Sequence, residues 1–370
     1  MAADTLAGIK VIEFGQNLAG PYAGQILAFL GAEVIKIERP EGDDARGWGP
    51  PFIDGDAVGF IALNRGKQSI AIDLTKPADK ARLIELIGGA DVFLHNLRPD
   101  VPAKFGIDDD SMTKRFPRLV YADLSAFGHT GPWATRPGYE PIIQATAGLI
   151  SINGDPDGPP ARIGVSIIDL STGMWTAIGI LAALQRRERT GQGGIVQTSL
   201  FETGLMWLSN HIAGFTNSGK VSPRQGTGHP NLAPYQAFQC TNGLLMVTPG
   251  NQRLWTKFAE VLGHPEWPAD PRFTTNIERM RHRDLLIGMI EAIMRRDTKE
   301  AWAERLMAAG VPCGPINEVP EVIAQAQVAA LAMLVAPYAG NPTLFHGLPI
   351  SFEGNRAGDD RPAPKTGQDT

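Results

Sequence analysis

A strand, a tight turn, a helix and a second strand follow one another between Ile9 and Glu38. Ile9-Lys-Val-Ile-Glu-Phe14 reads as a short strand and Gly15-Gln-Asn-Leu-Ala-Gly-Pro21 as a turn. Tyr22 to Leu30 reads as a helix that Gly31 stops before the strand Glu33-Val-Ile-Lys-Ile-Glu38. The order recurs with a strand from Ser69 to Leu74, a helix from Pro77 to Ile87, and strands from Asp91 to His95 and Leu119 to Leu124. Strands joined through helices lie parallel in one sheet, because each helix carries the chain back to the starting edge. A doubly wound α/β domain is the expected outcome.

The later chain reads differently. A Gly-Pro-rich stretch, Gly154 to Pro160, precedes a long helix from about Asp169 to Arg189, closed by Gly191, with Met174, Ile178, Leu181 and Leu184 on one face. Tyr235 to Val247 reads as a hairpin, with Asn242-Gly243 supplying the positive φ values of a tight turn. Helices are expected over Gln252–Leu262 and Arg283–Ala309. Residues 224–306 thus suggest a smaller α+β domain, with turn-rich linkers near Ser222–Pro230 and Gly310–Pro315.

Composition removes several functional classes. Lys and Arg number 34 against 39 Asp and Glu, for a net charge of −5, so no broad basic surface is available and no nucleic-acid partner is expected. With 43% hydrophobic residues the chain can bury a core and is not disordered. Cys240 and Cys313 cannot form a disulfide framework, and no secretory leader is recognised, so a cytoplasmic location is expected. The uncharged stretch Leu170–Gln185 is shorter than a membrane span, and no membrane partner is expected. The histidines lack metal-ligand spacing, so no metal is expected.

Common catalytic motifs also fail. Gly15, Gly20 and Gly24 do not form G-x-G-x-x-G, although Glu38 lies about where a ribose-binding acid would be. The P-loop pattern breaks at Pro21-Tyr22, and no G-x-S-x-G is present. Asp169 is the most pointed candidate. It opens an uncharged helix after the mostly apolar run Ile163 to Ile168, which suits either a helix N-cap or a carboxylate held in a dry pocket.

The segment around that aspartate, Gly158-Pro-Pro-Ala-Arg-Ile-Gly-Val-Ser-Ile-Ile-Asp-Leu-Ser-Thr-Gly-Met174, resembles the family III CoA-transferases. So do Ala19-Gly-Pro-Tyr-Ala23, Gly31-Ala-Glu-Val-Ile-Lys-Ile-Glu-Arg-Pro40, Asn64-Arg-Gly-Lys67, Arg136-Pro-Gly-Tyr-Glu140 and Ala309-Gly-Val-Pro-Cys-Gly-Pro-Ile-Asn317. The family includes formyl-CoA, carnitine and dicarboxylate CoA-transferases and a branch of 2-methylacyl-CoA racemases.

The resemblance implies a Rossmann-like large domain built from both chain ends (1–223 and 307–370), a small inserted domain (224–306), and an interlocked homodimer. It implies that Asp169 attacks an acyl-CoA thioester, with CoA as substrate, a carboxylic acid as acceptor and no permanently bound cofactor. Arg39, Ile72, Thr75, Asn96, Leu97, Arg98, Lys104, Arg136, Gly138, Tyr139 and Glu140 would line the CoA site, and Gly250 and Asn251 would cover the acyl group.

Departures narrow the reading. Leu18 stands where formyl-CoA transferases have Gln, and Thr248-Pro-Gly-Asn-Gln252 replaces their glycine run, which argues against oxalate or formate specificity. Gly194 stands where relatives have Gln, with no evident catalytic consequence. Tyr139 occupies the place of the racemases' histidine base, which favours transfer over racemisation. The end at Gly367-Gln-Asp-Thr370 falls where relatives continue into a helix, so weaker packing is expected there.

Overall fold

The computed structural model describes residues 4–370. The chain divides into two compact units. The larger comprises the described residues through Leu149, Arg162–Asn210 and Ala326–Thr370, and the smaller comprises Ile150–Ala161 and His211–Gln325. The smaller unit therefore holds more of the chain than the expected 224–306.

The larger unit is built on six strands: β1 (Lys10–Phe14), β2 (Glu33–Glu38), β3 (Gln68–Ala71), β4 (Val92–His95), β5 (Val120–Ser125) and β6 (Gly194–Ser199). Their order is β3-β2-β1-β4-β5-β6, and every neighbouring pair is parallel. The chain moves outward one way from β1 and then returns to build the other half from β4. A switch of this kind leaves a crevice at the carboxyl ends of β1 and β4. Alternate side chains enter two apolar layers, one containing Val11, Val92 and Ala122 and the other Ile12, Phe93 and Tyr121.

Helix α1 (Ala19–Phe29) begins three residues before the expected Tyr22, which places Pro21 in its first turn, where a missing N–H costs nothing. Helix α2 (Pro77–Gly88) and the short α3 (Asp100–Phe105) flank the sheet's other connections. Strand β3 ends at Ala71 rather than Leu74, which frees Ile72 to Leu74 for the crevice.

Helix α4 (Glu140–Thr146) is followed by the long α5 (Ile167–Thr190). At 24 residues, with mean hydropathy 1.6 over its most apolar 18, α5 is long and apolar enough to span a membrane by length and composition alone. Here its buried face packs on α1 in the core. Gly173 permits this approach, since a Cβ there would lie 2.7 Å from the carbonyl oxygen of Ala19.

A charged network lies beneath the β1–α1 turn. Glu13 and Lys36 are fully buried, and the Lys36 ammonium lies 3.4 Å from Glu13, 3.0 Å from Asp43 and 2.6 Å from the carbonyl oxygen of Gly15. Lys67 lies 2.6 Å from Glu13 and donates to the carbonyl of Pro21 at 2.7 Å. Both ends of the turn are thus held by buried ammonium groups. Gly24 makes room for the acid, because a Cβ there would meet Glu13 Oε2 at 2.0 Å.

The chain's last residues do not pack weakly. Asp369 exchanges hydrogen bonds with Ser69 at 2.8 and 2.9 Å, Ala71 N–H donates to Thr370 Oγ1, and Lys365 pairs with Asp56 at 2.8 Å. These contacts cover the outer edge of β3, which would otherwise offer open backbone groups.

The smaller unit contains an antiparallel sheet of β7 (Gln236–Cys240), β8 (Gly243–Val247) and β9 (Cys313–Pro315) in the order β9-β8-β7. The expected linker at Gly310–Pro315 is therefore partly a strand. Cys240 pairs with Gly243, so Thr241-Asn242 form the turn and only Gly243, at φ +146, takes the positive value. Its helices include α6 (Gln252–Val261), α7 (Asn276–Arg281), α8 (Arg283–Met294) and α9 (Lys299–Ala308). The single helix expected over Arg283–Ala309 breaks because Thr298 caps a new one, its side chain accepting from Ala301 N–H. Trp255, Phe258, Leu286 and Leu306 are fully buried in this unit's own core.

Candidate active site

Asp169 is the third residue of α5, not its cap. Ser166 takes the cap position without a side-chain bond, so the N-cap reading of Asp169 does not hold. Among the described residues, its carboxylate makes neither a hydrogen bond nor an ion pair. It is half-buried, and burial pushes its pKa up to about 7, with the nearby negative charge of Glu140 adding to the shift. The first-turn N–H groups of α5 favour the anion, but the dry surroundings outweigh them. This carboxyl exchanges its proton near neutral pH.

Its folded pKa lies above the ordinary carboxylate value of about 3.9. The associated stability is present below about pH 4 and lost as pH rises through about 7. Asp169→Asn should therefore match the wild type in melting temperature at pH 4 and exceed it at pH 8. The gain should be of order 1–2 kcal/mol after allowance for screening at a half-buried site. Equal melting temperatures at both pH values would contradict this charge burial.

The predicted site residues divide into groups. Arg39, Ile72, Thr75 and Leu97 line one cavity of about 300 Å³, together with Gln16 and Phe105. The cavity occupies the crevice at the carboxyl ends of β1, β2 and β3. Arg39 is partly exposed and pairs with Asp44 at 2.6 Å, so the cation can turn to an incoming anion at small cost.

Asn96 stands behind the cavity. Its side chain accepts from Gln16 N–H at 2.8 Å and donates to Gln16 O at 2.9 Å, which fixes the turn that Gln16 contributes to the lining. Arg98 is exposed and lies 3.4 Å from Asp100. Lys104, on α3, lies 5.4 Å from the centre of the Phe105 ring and has no ion-pair partner among the described residues.

Arg136, Gly138, Tyr139 and Glu140 do not line that cavity. Arg136 stacks 4.9 Å over the Trp133 ring, and Gly138 passes where a Cβ would lie 3.0 Å from Ala126 and Phe127. Tyr139 is exposed at the start of α4. Glu140 is buried, accepts from Gln144 Nε2 at 2.6 Å, and acts electrostatically on Asp169. The resemblance implied a CoA contact for Glu140; in the fold it lies 3.7 Å from the Arg162 guanidinium, and its charge adds to the rise of the Asp169 pKa. Gly250 and Asn251 belong to the smaller unit, where Asn251 caps α6 by accepting from Leu254 N–H at 3.0 Å.

Gln16 and Phe105 escaped the sequence reading. The signal for Gln16 was present, since it follows the carboxyl end of β1 at a switch in strand order. Phe105 carried no such signal. Among the described residues, no three His, Cys, Asp or Glu side chains are grouped to hold a metal ion.

Comparison with known proteins places this geometry in a family. The model of CoA-transferase family III matches residues 6–370. The chain is 37% identical to a succinate–glutarate CoA-transferase of Agrobacterium fabrum, covering 98% of this chain and 93% of that protein. It is also 37% identical to an acetyl-CoA:oxalate CoA-transferase of Acetobacter aceti, covering 97% and 92%. Among solved structures, a CAIB/BAIF family protein from Brucella suis shares 38% identity and superposes with a TM-score of 0.87, over 98% of this chain and 96% of that one. A six-stranded parallel sheet with an open carboxyl-end crevice, and similarity over almost the full length of these proteins, lead to one assignment: the chain belongs to CoA-transferase family III.

Proposed function

We propose that the protein moves CoA from an acyl-CoA to a carboxylic acid, with Asp169 carrying the acyl group and then the CoA. The observation that carries this reading is a half-buried carboxylate with no bonding partner among the described residues and a pKa raised to about 7. A carboxylate that holds nothing together and bears a desolvation cost is suited to chemistry.

In the first step an Asp169 oxygen attacks the thioester carbonyl, the C–S bond breaks, and CoA thiolate leaves an aspartyl–acyl anhydride. The thiolate then attacks the aspartyl carbonyl, releasing the donor acid and leaving an aspartyl-CoA thioester. The acceptor carboxylate attacks that thioester, and the thiolate expelled attacks the acceptor's acyl carbonyl to give the new acyl-CoA and free Asp169. Proton count is conserved, because each carboxylate enters and leaves ionised.

The first step is uphill for an ordinary aspartate. A thiol of pKa about 8.5 leaves less readily than a carboxylate of about 3.9, a gap of about 4.6 units, or roughly 6 kcal/mol. At about 7, Asp169 is a stronger nucleophile and the gap shrinks to about 1.5 units. Glu140 contributes to that rise. The cavity lined by Arg39, Thr75 and Leu97 would hold the nucleotide end of CoA, so that binding energy gained there positions the thioester.

An interlocked homodimer is part of the proposal. It is supported by exposed apolar side chains on the larger unit, among them Trp175, Ile178 and Trp207, which a second copy would cover.

The reading is tested by mixing the protein with a donor acyl-CoA and quenching with hydroxylamine or borohydride. Peptide mass spectrometry should find the hydroxamate or the reduced side chain at Asp169. Modification elsewhere, or none with any donor in a panel, would overturn it.

A further inference from the structure

Arg279, on α7 in the smaller unit, is only 3% exposed. A buried guanidinium normally faces a carboxylate, because a full charge removed from water needs one in return. Arg46 and Arg187 follow that rule, with Glu38 and Asp91 at 2.7 and 2.8 Å. Arg65, fully buried, donates only to the carbonyls of Asp359 and His346 among the described residues, yet the charges of Asp359 and Asp360 act on it. Arg279 does not follow the rule. Its Nε donates to the carbonyl of Ala233 at 2.6 Å, and Nη1 donates to Gln252 Oε1 and the carbonyl of Phe273, both at 3.0 Å. The guanidinium also lies 5.2 Å from the centre of the Trp255 ring. All these partners are neutral. Among the described residues no carboxylate pairs with it, and Nη2 makes no hydrogen bond. Burial alone pulls its pKa down to about 10, which leaves it charged at neutral pH.

The same residue lines a cavity of about 380 Å³ with Gly250, Asn251, Thr274 and Thr275, and no acidic side chain is part of the wall. That volume is in the range of small-molecule sites. The walls offer hydroxyl and amide groups, and the only formal charge in them is positive.

We propose that this cavity is a carboxylate-binding site, in which the free Nη2 edge of Arg279 receives one carboxylate of a small dicarboxylic acid. The choice of a dicarboxylic acid rests on the CoA-transfer reading, whose acceptor is a free acid, and on the succinate and glutarate named for a relative above. An arginine serving only to hold three neutral acceptors would leave its charge uncompensated, whereas a bound carboxylate supplies the missing partner.

The test is calorimetric titration of the full chain with succinate and with glutarate. Arg279→Gln should weaken binding about tenfold or more, as expected for loss of a charged hydrogen bond. Arg279→Lys should retain part of it. Because Arg279 also holds backbone carbonyls, a second variant leaves those bonds in place. In Gly250→Leu the new Cβ meets only ordinary contacts, 3.7 Å from Tyr235, and a larger side chain is added to a residue that lines the cavity. This variant should lose binding with an unchanged circular dichroism spectrum. Wild-type affinity in Gly250→Leu, or in a folded Arg279→Gln, would overturn the proposal, as would a wild-type protein that binds neither acid. The Asp169 adduct is measured on the same preparations. Its formation alongside unchanged dicarboxylate binding in both variants sinks the carboxylate site and leaves CoA transfer standing. Its absence sinks CoA transfer, and the titrations still decide the site.

Discussion

Asp169→Ala abolishes CoA transfer, with turnover falling about ten-thousand-fold or more, while the Kd for the acyl-CoA stays within about threefold. The asymmetry follows from where the residue stands. The carboxylate makes no bond that holds the fold, and it is absent from the lining of the Arg39 cavity. Its loss therefore removes a reacting atom and little else. Asp169→Asn should be equally inactive, since an amide cannot form the anhydride. Asp169→Glu should recover little, because one extra methylene displaces the attacking oxygen by more than a near-attack geometry tolerates. In the wild type, kcat/KM should rise with pH through about 7 as the carboxyl loses its proton. A stopped assay of acyl-CoA formation, with binding followed separately, decides the matter. An Ala variant that turns over at the wild-type rate would end the nucleophile assignment.

Glu13→Gln should cost about 3–5 kcal/mol of stability, the largest loss expected from any single charge removed from this chain. Among the described residues, Glu13 is the only acid within 4 Å of the Lys67 ammonium, and the side chains of both are fully buried. Burial already pulls Lys67 down to about 8, with Glu13 opposing that shift. Without the acid, Lys67 must remain charged with only the neutral oxygens of Pro21 and Asn64 to receive it, or give up its proton. Lys36 would keep Asp43 at 3.0 Å and lose less. The contrast is Lys10–Glu33, a pair of exposed side chains 3.7 Å apart, where Lys10→Gln should change stability by less than about 1 kcal/mol. Glu13→Met combined with Lys67→Met should recover most of the loss, because removing both charges leaves neither unpaired. Urea denaturation at fixed protein concentration measures all three variants. A Glu13→Gln protein within about 1 kcal/mol of wild type would show that water reaches the network.

Glu13 also shows where sequence reading ends. The strand–helix series from Ile9 to Leu124 was legible because period and punctuation are local properties, and the parallel sheet follows from them. Asp169 was legible because a lone acid in an apolar context stands out. Glu13 and Lys36 lie on strands that read correctly as strands, yet nothing in the pattern reveals that the two charges meet across β1 and β2, since strand neighbours are set by tertiary register. Strand β6 was passed over because Gly194-Ile-Val-Gln-Thr-Ser199 follows a helix cap and is only partly apolar. The break in Arg283–Ala309 carried a signal, the cap at Thr298, that apolar periodicity on both sides concealed. Glu140 was placed with the CoA contacts because its motif adjoins Arg136. Only the fold brings its charge to bear on Asp169.

The contacts between Ser69 and Asp369 span 300 residues of chain. During synthesis the N-terminal strands emerge first, and β3 then stands as an uncovered edge until Asp369 and Thr370 have been made. The smaller unit has most of its chain in one run, His211–Gln325, and can gather its core while that edge is still waiting. An edge made early thus closes only after some 300 further residues, and its time uncovered lengthens as translation slows.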